Sequence, residues 1–500
     1  MVRSAGPVGR RATCALLRRL SLPAVAVLAQ FLAACSDKAP LTPAQHSVVA
    51  TLPAATHYLI ALGSPGKPSS ALTAAIQAAG GRILRAHAGT GIVVVGGLSQ
   101  SAANALRTRS DIGMMMADFT FKLRPDLTTP VLRTVGGARR LAARTVTPRA
   151  LTDPRQANFY SGYQWNMKVI QADTAWQITN QGTGTKVYIL DTGVDSAHID
   201  LRGRIDLARS TTFAYAPTDT LQLNPLPVFH DVVGHGTFVS SMITTNSINL
   251  AGVAPQATVV MVRVFDDEAS STFEALIDGL LYAADSSADV INMSLGGYLS
   301  RVVNGDNYAA EFLTRVVQYA RARNVLVVAA AGNEGVDWNT ASSALSGSAG
   351  SYVDSLEYPG GIKNVMSIGA TAPIDQANFD RIATYSNYGA PGVGVFAPGG
   401  DLVDTLQVKD LILGACSSAR TDVNCAGDTT YVFEAGTSFA SPTTVGEALV
   451  IKGQHTGITN TALETCILTT ATEVTGVRPD PNYNYGRIDV LNAVNSSSCQ

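Results

Sequence analysis

Charge is scarce in this chain and balanced where it occurs: 15% of the 500 residues are charged, and the formal net charge at neutral pH is -2. A surface without a one-signed field gives no electrostatic reason to expect nucleic acid as a partner. Cysteine is also scarce. Of six, Cys14 and Cys35 lie near the N-terminus and the others in the last hundred residues. No Cys-x-x-Cys or histidine-rich spacing accompanies them, so a zinc site is not indicated. Long apolar runs are missing as well. The run from Leu20 to Ala34 contains Pro23 and Gln30 and falls short of the roughly 20 residues that a membrane span needs. Hydrophobic residues are abundant, at 46% of the chain, enough for a large core and, at this length, for more than one domain.

Residues 1–35 have the layout of an export segment, with arginine-rich "MVRSAGPVGRRATCALLRR" followed by apolar "LSLPAVAVLAQFLAAC". The ending Leu32-Ala33-Ala34-Cys35 resembles a bacterial lipoprotein box, which makes Cys35 the expected lipidation site and the only expected membrane contact. Export permits disulfides, and the four remaining cysteines allow three connectivities. The favoured pairs are Cys416 with Cys425, closing a short surface loop, and Cys466 with Cys499, pinning the C-terminal tail.

Residues 36–56, rich in Pro, Ala and Thr, read as a linker. Residues 57–123 follow a strand-helix-strand-strand-helix-strand order, which predicts a small α+β, ferredoxin-like sheet with two helices on one face. A second linker, 124–158, carries several arginines, prolines and glycines and is the expected place for proteolytic nicking. From 159 to 500 the pattern alternates apolar strands with helices, as in "TKVYILDTGVD", "ATVVMVRVF", "ADVINMSLGG", "VLVVAAAGNEG" and "VMSIGA". That predicts an α/β domain with a doubly wound, mostly parallel sheet covered on both faces.

In such sheets reacting groups collect beyond the carboxyl ends of the strands. Asp191 ends the first of these strands, His235 stands between glycines in "VVGHGTFVSS", Asn333 follows the strand "VLVVAAAG", and Ser438 opens a helix in "EAGTSFASP". Singly, each has a plain structural reading as a turn residue or a helix cap. Together they fit one chemical need. A hydroxyl becomes a nucleophile when a base takes its proton, the base needs an orienting carboxylate, and the developing oxyanion needs donors.

The motifs "DTGVD", "GHGT", "INMSLGG", "VVAAAGNEG" and "GTSFASP", in this order between about Gln164 and Val494, resemble those of subtilisin-like serine proteases. The resemblance implies Ser438 as nucleophile, His235 as general base, Asp191 as its orienting partner, and Asn333 as oxyanion donor beside the Ser438 backbone N–H. It implies that substrate adds as a strand between Ser270-Ser271 and the segment Ser294, Leu295, Gly296 and Gly297. "VVAAAGN", with Ala331 and Gly332, would form the other wall of the specificity pocket, and Phe273 and Leu276 a second apolar pocket. Gly234, Gly236 and Gly436 are expected to supply tight turns or backbone freedom beside the reacting residues.

By the same resemblance, residues 57–123 are an inhibitory pro-domain whose tail "MADFTFKL" enters the cleft, and self-cleavage between about 123 and 158 frees the peptidase domain. The expected function is that of an exported, monomeric endopeptidase with broad preference for extended polypeptides and no catalytic cofactor. Its structural calcium is in question, because the segment that wraps the ion in several relatives is shortened here to "TTNSINL". Phe238 and Thr443 stand where many relatives have a second histidine. A dedicated processing protease is the alternative. It would need acidic groups at the pocket, for which Asp266, Asp267, Glu268 and Glu334 are the candidates. A catalytically silent binding protein is disfavoured by retention of all four residue types.

Overall fold

The structure, a computed structural model, describes Leu52 and residues 54–500, except 124–152, 220–221, 301–305, 339–345, 348–349, 352–354, 402, 404–407, 421–424, 426 and 428–429. The export segment, Cys35 and most of both linkers lie outside the described residues.

The N-terminal module runs β1 (His57–Leu62), α1 (Ser70–Ala78), β2 (Arg82–His87), β3 (Ile92–Gly96), α2 (Gln100–Leu106) and β4 (Ile112–Ala117). Its antiparallel sheet has the order β2-β3-β1-β4. Both helices start where the sequence offers a cap: the Ser69 and Ser99 hydroxyls accept the N–H groups of Leu72 and Ala102. Tyr58, Ile60 and Leu62 face the module's own core with Leu72, Ile76, Val93 and Val95. Leu59 and Ala61, on the opposite face, join Ile92 and Met116 in a cluster shared with the larger module. Burial of both faces explains why the whole of "HYLIAL" is withdrawn from solvent. A short strand, β5 (Thr120–Lys122), leaves this sheet for a partner in the larger module.

The larger module contributes β6 (Lys186–Asp191), β7 (Thr211–Thr212), β8 (Thr258–Arg263), β9 (Ser270–Thr272), β10 (Val290–Met293), β11 (Gly297–Ser300), β12 (Leu326–Ala330), β13 (Ser355–Tyr358), β14 (Met366–Thr371) and β15 (Val395–Pro398). Seven of these form one parallel sheet in the order β15-β14-β12-β10-β6-β8-β7. Successive side chains alternate between its faces. Val187, Ile189, Val259, Met261 and Val328 pack under α3 (His235–Ile243) and α6 (Thr437–Gln454). Tyr188, Leu190, Val260, Val262 and Val327 pack under α4 (Phe273–Asp285) and α5 (Asp306–Ala322). This is the doubly wound arrangement expected. Because β6 comes first in the chain and lies between β8 and β10, the winding reverses beside it, and the crevice beyond its carboxyl end is where a site belongs.

Cys416 pairs with Cys425 and Cys466 with Cys499, with Cα atoms 5.8 and 5.0 Å apart. Both pairs are buried against the main core. Among the described residues no helix is long and apolar enough to cross a membrane.

Candidate active site

Asp191 is the last residue of β6 and His235 the first of α3. His235 Nδ1 lies 2.8 Å from Asp191 Oδ1, which also accepts the Thr192 N–H at 2.7 Å. Both side chains are nearly inaccessible, at 1% and 6% exposure. The glycines around His235 have different reasons. Gly234 sits at φ 85°, in the left-handed region. Gly236 lies against the loop after Asp191, where a Cβ would collide with the Gly193 carbonyl. Gly436, at φ 171°, is in extended backbone open to any residue, so the freedom expected there is not used.

One positioning residue escaped the sequence reading. Asp231 is fully buried and accepts the N–H groups of Gly234 and Thr237 and the hydroxyls of Thr192 and Thr237, at 2.6–2.9 Å. It ties the start of α3 to the loop after Asp191. Burial pushes its carboxyl up, and the Thr237 and Thr192 hydrogen bonds oppose that. An aspartate three residues before the helix entry was the available signal.

Ser438 is the second residue of α6, at the positive end of the helix dipole. Its carbonyl accepts the Ser294 hydroxyl at 2.7 Å, Ser294 in turn accepts from Asn292 Nδ2 at 3.0 Å, and Ser441 donates to Asn292 Oδ1 at 2.8 Å. The next ring, Phe439, lies 6.0 Å from that of His235 and 4.2 Å from Phe238, so α3 and α6 meet through aromatic contact. Asn333 Oδ1 accepts both the N–H and the hydroxyl of Thr437, at 2.9 and 2.7 Å. With the oxygen so used, the amide end that can serve an oxyanion is Nδ2.

A pocket beside Ser438 and Asn333 is lined by Ser294, Leu295, Gly296, Gly297, Ala330 and Gly332, and further by Tyr298, Glu334 and Glu357. Ala331 turns the other way, into a small cluster with Val393 and Phe396, because alternation along β12 gives the pocket wall to Ala330 and Gly332. Ser270 and Ser271 lie on β9, which pairs antiparallel with β5 of the N-terminal module, Phe121 facing Ser271. The Leu123 N–H continues this pairing onto the Ala269 carbonyl, and the residue reaches the pocket. Phe273 and Leu276 are fully buried in the cluster under α4; Phe119 stacks on Phe273, with ring centroids 5.1 Å apart.

Of the four acidic candidates, Glu334 alone lines the pocket. Asp266 accepts the N–H groups of Glu268 and Ser270, and Asp267 pairs with Arg263. Glu357, which the sequence reading passed over, lies 24 residues beyond Asn333 in the chain and reaches the pocket because β13 pairs with β11, setting it opposite Tyr298.

The shortened "TTNSINL" loop does not fit calcium. Its Ile248, Asn249 and Leu250 N–H groups point inward to the buried Asp200 carboxylate, which also accepts the Tyr431 hydroxyl. With both oxygens of this carboxyl group taken by N–H and hydroxyl donors, the loop does not offer the free oxygen ligands that calcium needs. The described residues do gather His57, Asp118 and Glu274 within 4.8 Å at the junction of the modules, but Arg85 is ion-paired to Glu274 and already supplies the cation.

Residues 182–487 match the family model described as Subtilase family. The chain is 32% identical over 339 residues to the thermophilic serine proteinase of Bacillus sp. (strain AK1), covering 67% of this chain and 68% of that one. It is 31% identical over 339 residues to thermitase of Thermoactinomyces vulgaris, covering 67% and 97%. Among solved structures it is similar to the epidermin leader peptide processing serine protease (EpiP) of Staphylococcus aureus, with TM-score 0.68, 22% identity and coverage of 88% and 98%. It is also similar to fervidolysin from Fervidobacterium pennivorans, with TM-score 0.64, 20% identity and coverage of 90% and 62%. At these identities the solved structures speak for the fold alone.

Proposed function

Because this chain belongs to the subtilase family and is a serine endopeptidase, we propose that it cleaves peptide bonds through Ser438, His235 and Asp191, and that residues 57–123 are its intramolecular inhibitor. Ser438 Oγ attacks the scissile carbonyl carbon while His235 Nε2 takes its proton. Asp191 Oδ1 accepts from Nδ1, which keeps Nε2 as the base. Asn333 Nδ2 and the Ser438 backbone N–H meet the oxyanion. The C–N bond breaks as His235 returns the proton to the departing amine, and water then hydrolyses the acyl-enzyme with the same base. This chemistry needs no cofactor.

The observation that carries the reading is the buried Asp191–His235 contact at the head of a helix packed on the one that bears Ser438. The pairing of β5 with β9, and Leu123 at the pocket, support inhibition by the chain's own tail and cleavage between about 123 and 158. The proposal extends to export, a lipid on Cys35 in the precursor, and action as a monomer on extended polypeptides. The test compares wild type with Ser438→Ala. The wild type should shorten its own precursor and degrade unfolded casein. The variant should do neither, with turnover down by about 10⁶, the loss known for the nucleophile of subtilisin. Equal processing and turnover would overturn the reading.

A further inference from the structure

Resting on the reading that the cleft at Ser438 receives substrate, we propose that Glu357, with Glu334 at the pocket mouth, selects an arginine or lysine as the residue preceding the scissile bond. The broad preference suggested by family resemblance is thereby narrowed. Leu295, Ala330 and the backbone of Gly296, Gly297 and Gly332 give the pocket walls that suit an aliphatic stem. Beyond them Glu357 is buried, at 1% exposure, and its place is fixed by the β11–β13 ladder.

Two glycines keep room for its carboxylate. A Cβ on Gly296 would stand 2.7 Å from Oε1, and one on Gly360 would collide with Oε2. Nearer the mouth, Glu334 Oε2 accepts from the Tyr298 hydroxyl at 2.5 Å and from Asn387 Nδ2 at 2.9 Å, which hold its carboxyl group in place. The same two carboxylates help raise the Tyr298 phenol, behind burial as the main cause.

A neutral aliphatic residue entering this pocket would seal a carboxylate away from water without supplying a charge, and an acidic residue would be repelled. A guanidinium or ammonium on a flexible stem satisfies both parts, packing its methylenes on the walls and its head on the acid. The chain's own linker offers such residues: Arg124, Arg133, Arg139, Arg140, Arg144 and Arg149 fall between 124 and 152, with no lysine. The mature N-terminus is accordingly expected to follow an arginine.

The experiment measures kcat/KM of the wild-type enzyme on peptides identical except for arginine, citrulline or leucine before the scissile bond. Citrulline keeps the shape of arginine and removes the charge. Labelling of Ser438 by a neutral fluorophosphonate is followed in parallel. Arginine should exceed citrulline by at least about 30-fold, the scale of losing one partner of a buried charge pair. Glu357→Gln should remove most of that ratio by lowering turnover of the arginine peptide, and should raise turnover of the leucine peptide, which no longer has to bury a carboxylate. Equal turnover of arginine and citrulline by an enzyme whose Ser438 is labelled overturns the pocket assignment and leaves the nucleophile standing. Neither turnover nor labelling overturns both. Because the first comparison uses only the wild type, a Glu357 variant that fails to fold does not shelter the proposal.

Discussion

Pro442 has no N–H to give, and the carbonyl four residues earlier, which that N–H would have satisfied, belongs to Ser438. The proline stands sixth in the helix, and its effect falls on Ser438 itself. Ser294, from the opposite wall of the cleft, fills the gap with its hydroxyl. Removing that hydroxyl leaves a buried acceptor unsatisfied, at a cost of about 1–3 kcal/mol. Ser294→Ala is therefore expected to lower Tm by a few degrees and kcat by roughly tenfold or more, with KM little changed, because the ground-state complex makes no use of this bond. Calorimetry and steady-state kinetics on one preparation check it. A fall in Tm with kcat intact would mean that the bond holds the helix but does not aim Ser438.

Among the elements, β5 links the two modules by adding three residues to the free edge of β9. Backbone pairing alone is tolerant of sequence, so its hold depends on side chains. The Phe121 ring meets Phe265 and Tyr358 edge-on, each at 5.7 Å between centroids. Phe121→Ala removes a partly buried ring, on the order of 2 kcal/mol or roughly 30-fold in the docking equilibrium. In full-length Ser438→Ala protein, the Leu123 amide, bonded to the Ala269 carbonyl, should then exchange with solvent at least tenfold faster. An unchanged rate would show that the ladder holds without the ring. The strands of the large sheet could be read from sequence because both faces are covered, which makes each an apolar run; Asp191 and Asn333 stood out because they end or follow such runs, and His235 and Ser438 because they open helices just after a glycine. What escaped has equally physical causes. β7 is only two residues long, β15 ends on a proline, and Glu357 joins the pocket through a strand pairing that no local pattern announces.

For the molecule as a whole, the junction between modules is a set of buried and half-buried ionisable groups whose titrations oppose one another. His57 of β1 lies 2.6 Å from Glu274 of α4, Arg85 of β2 pairs with Glu274 and Asp278, Arg82 lies nearby, Gln222 reaches His57 and Glu274, and Asp118 accepts the Glu274 N–H. Burial lowers His57 from its ordinary 6.5, and raises Asp118 to about 7 and Asp278 to about 6. Undocking returns each group toward its ordinary value. Between pH 4 and 6 the docked form then holds protons on Asp118 and Asp278 that the separated form has lost, while the lowered His57 works in the opposite direction. Two raised carboxylates outweigh one lowered histidine, so the docked form holds the more protons and docking weakens as pH rises through this window. Above pH 6 the Asp278 contribution fades, and by pH 7 that of Asp118 does as well. Asp118→Asn should flatten this pH dependence, since one of the two raised carboxylates is gone while the lowered histidine still opposes the other. The Phe273 and Glu274 amides, which donate to Phe119 and Asp118 across the junction, report undocking by hydrogen exchange in the Ser438→Ala protein after correction for intrinsic rates. A slope as steep in Asp118→Asn as in the parent protein would remove Asp118 from the titration.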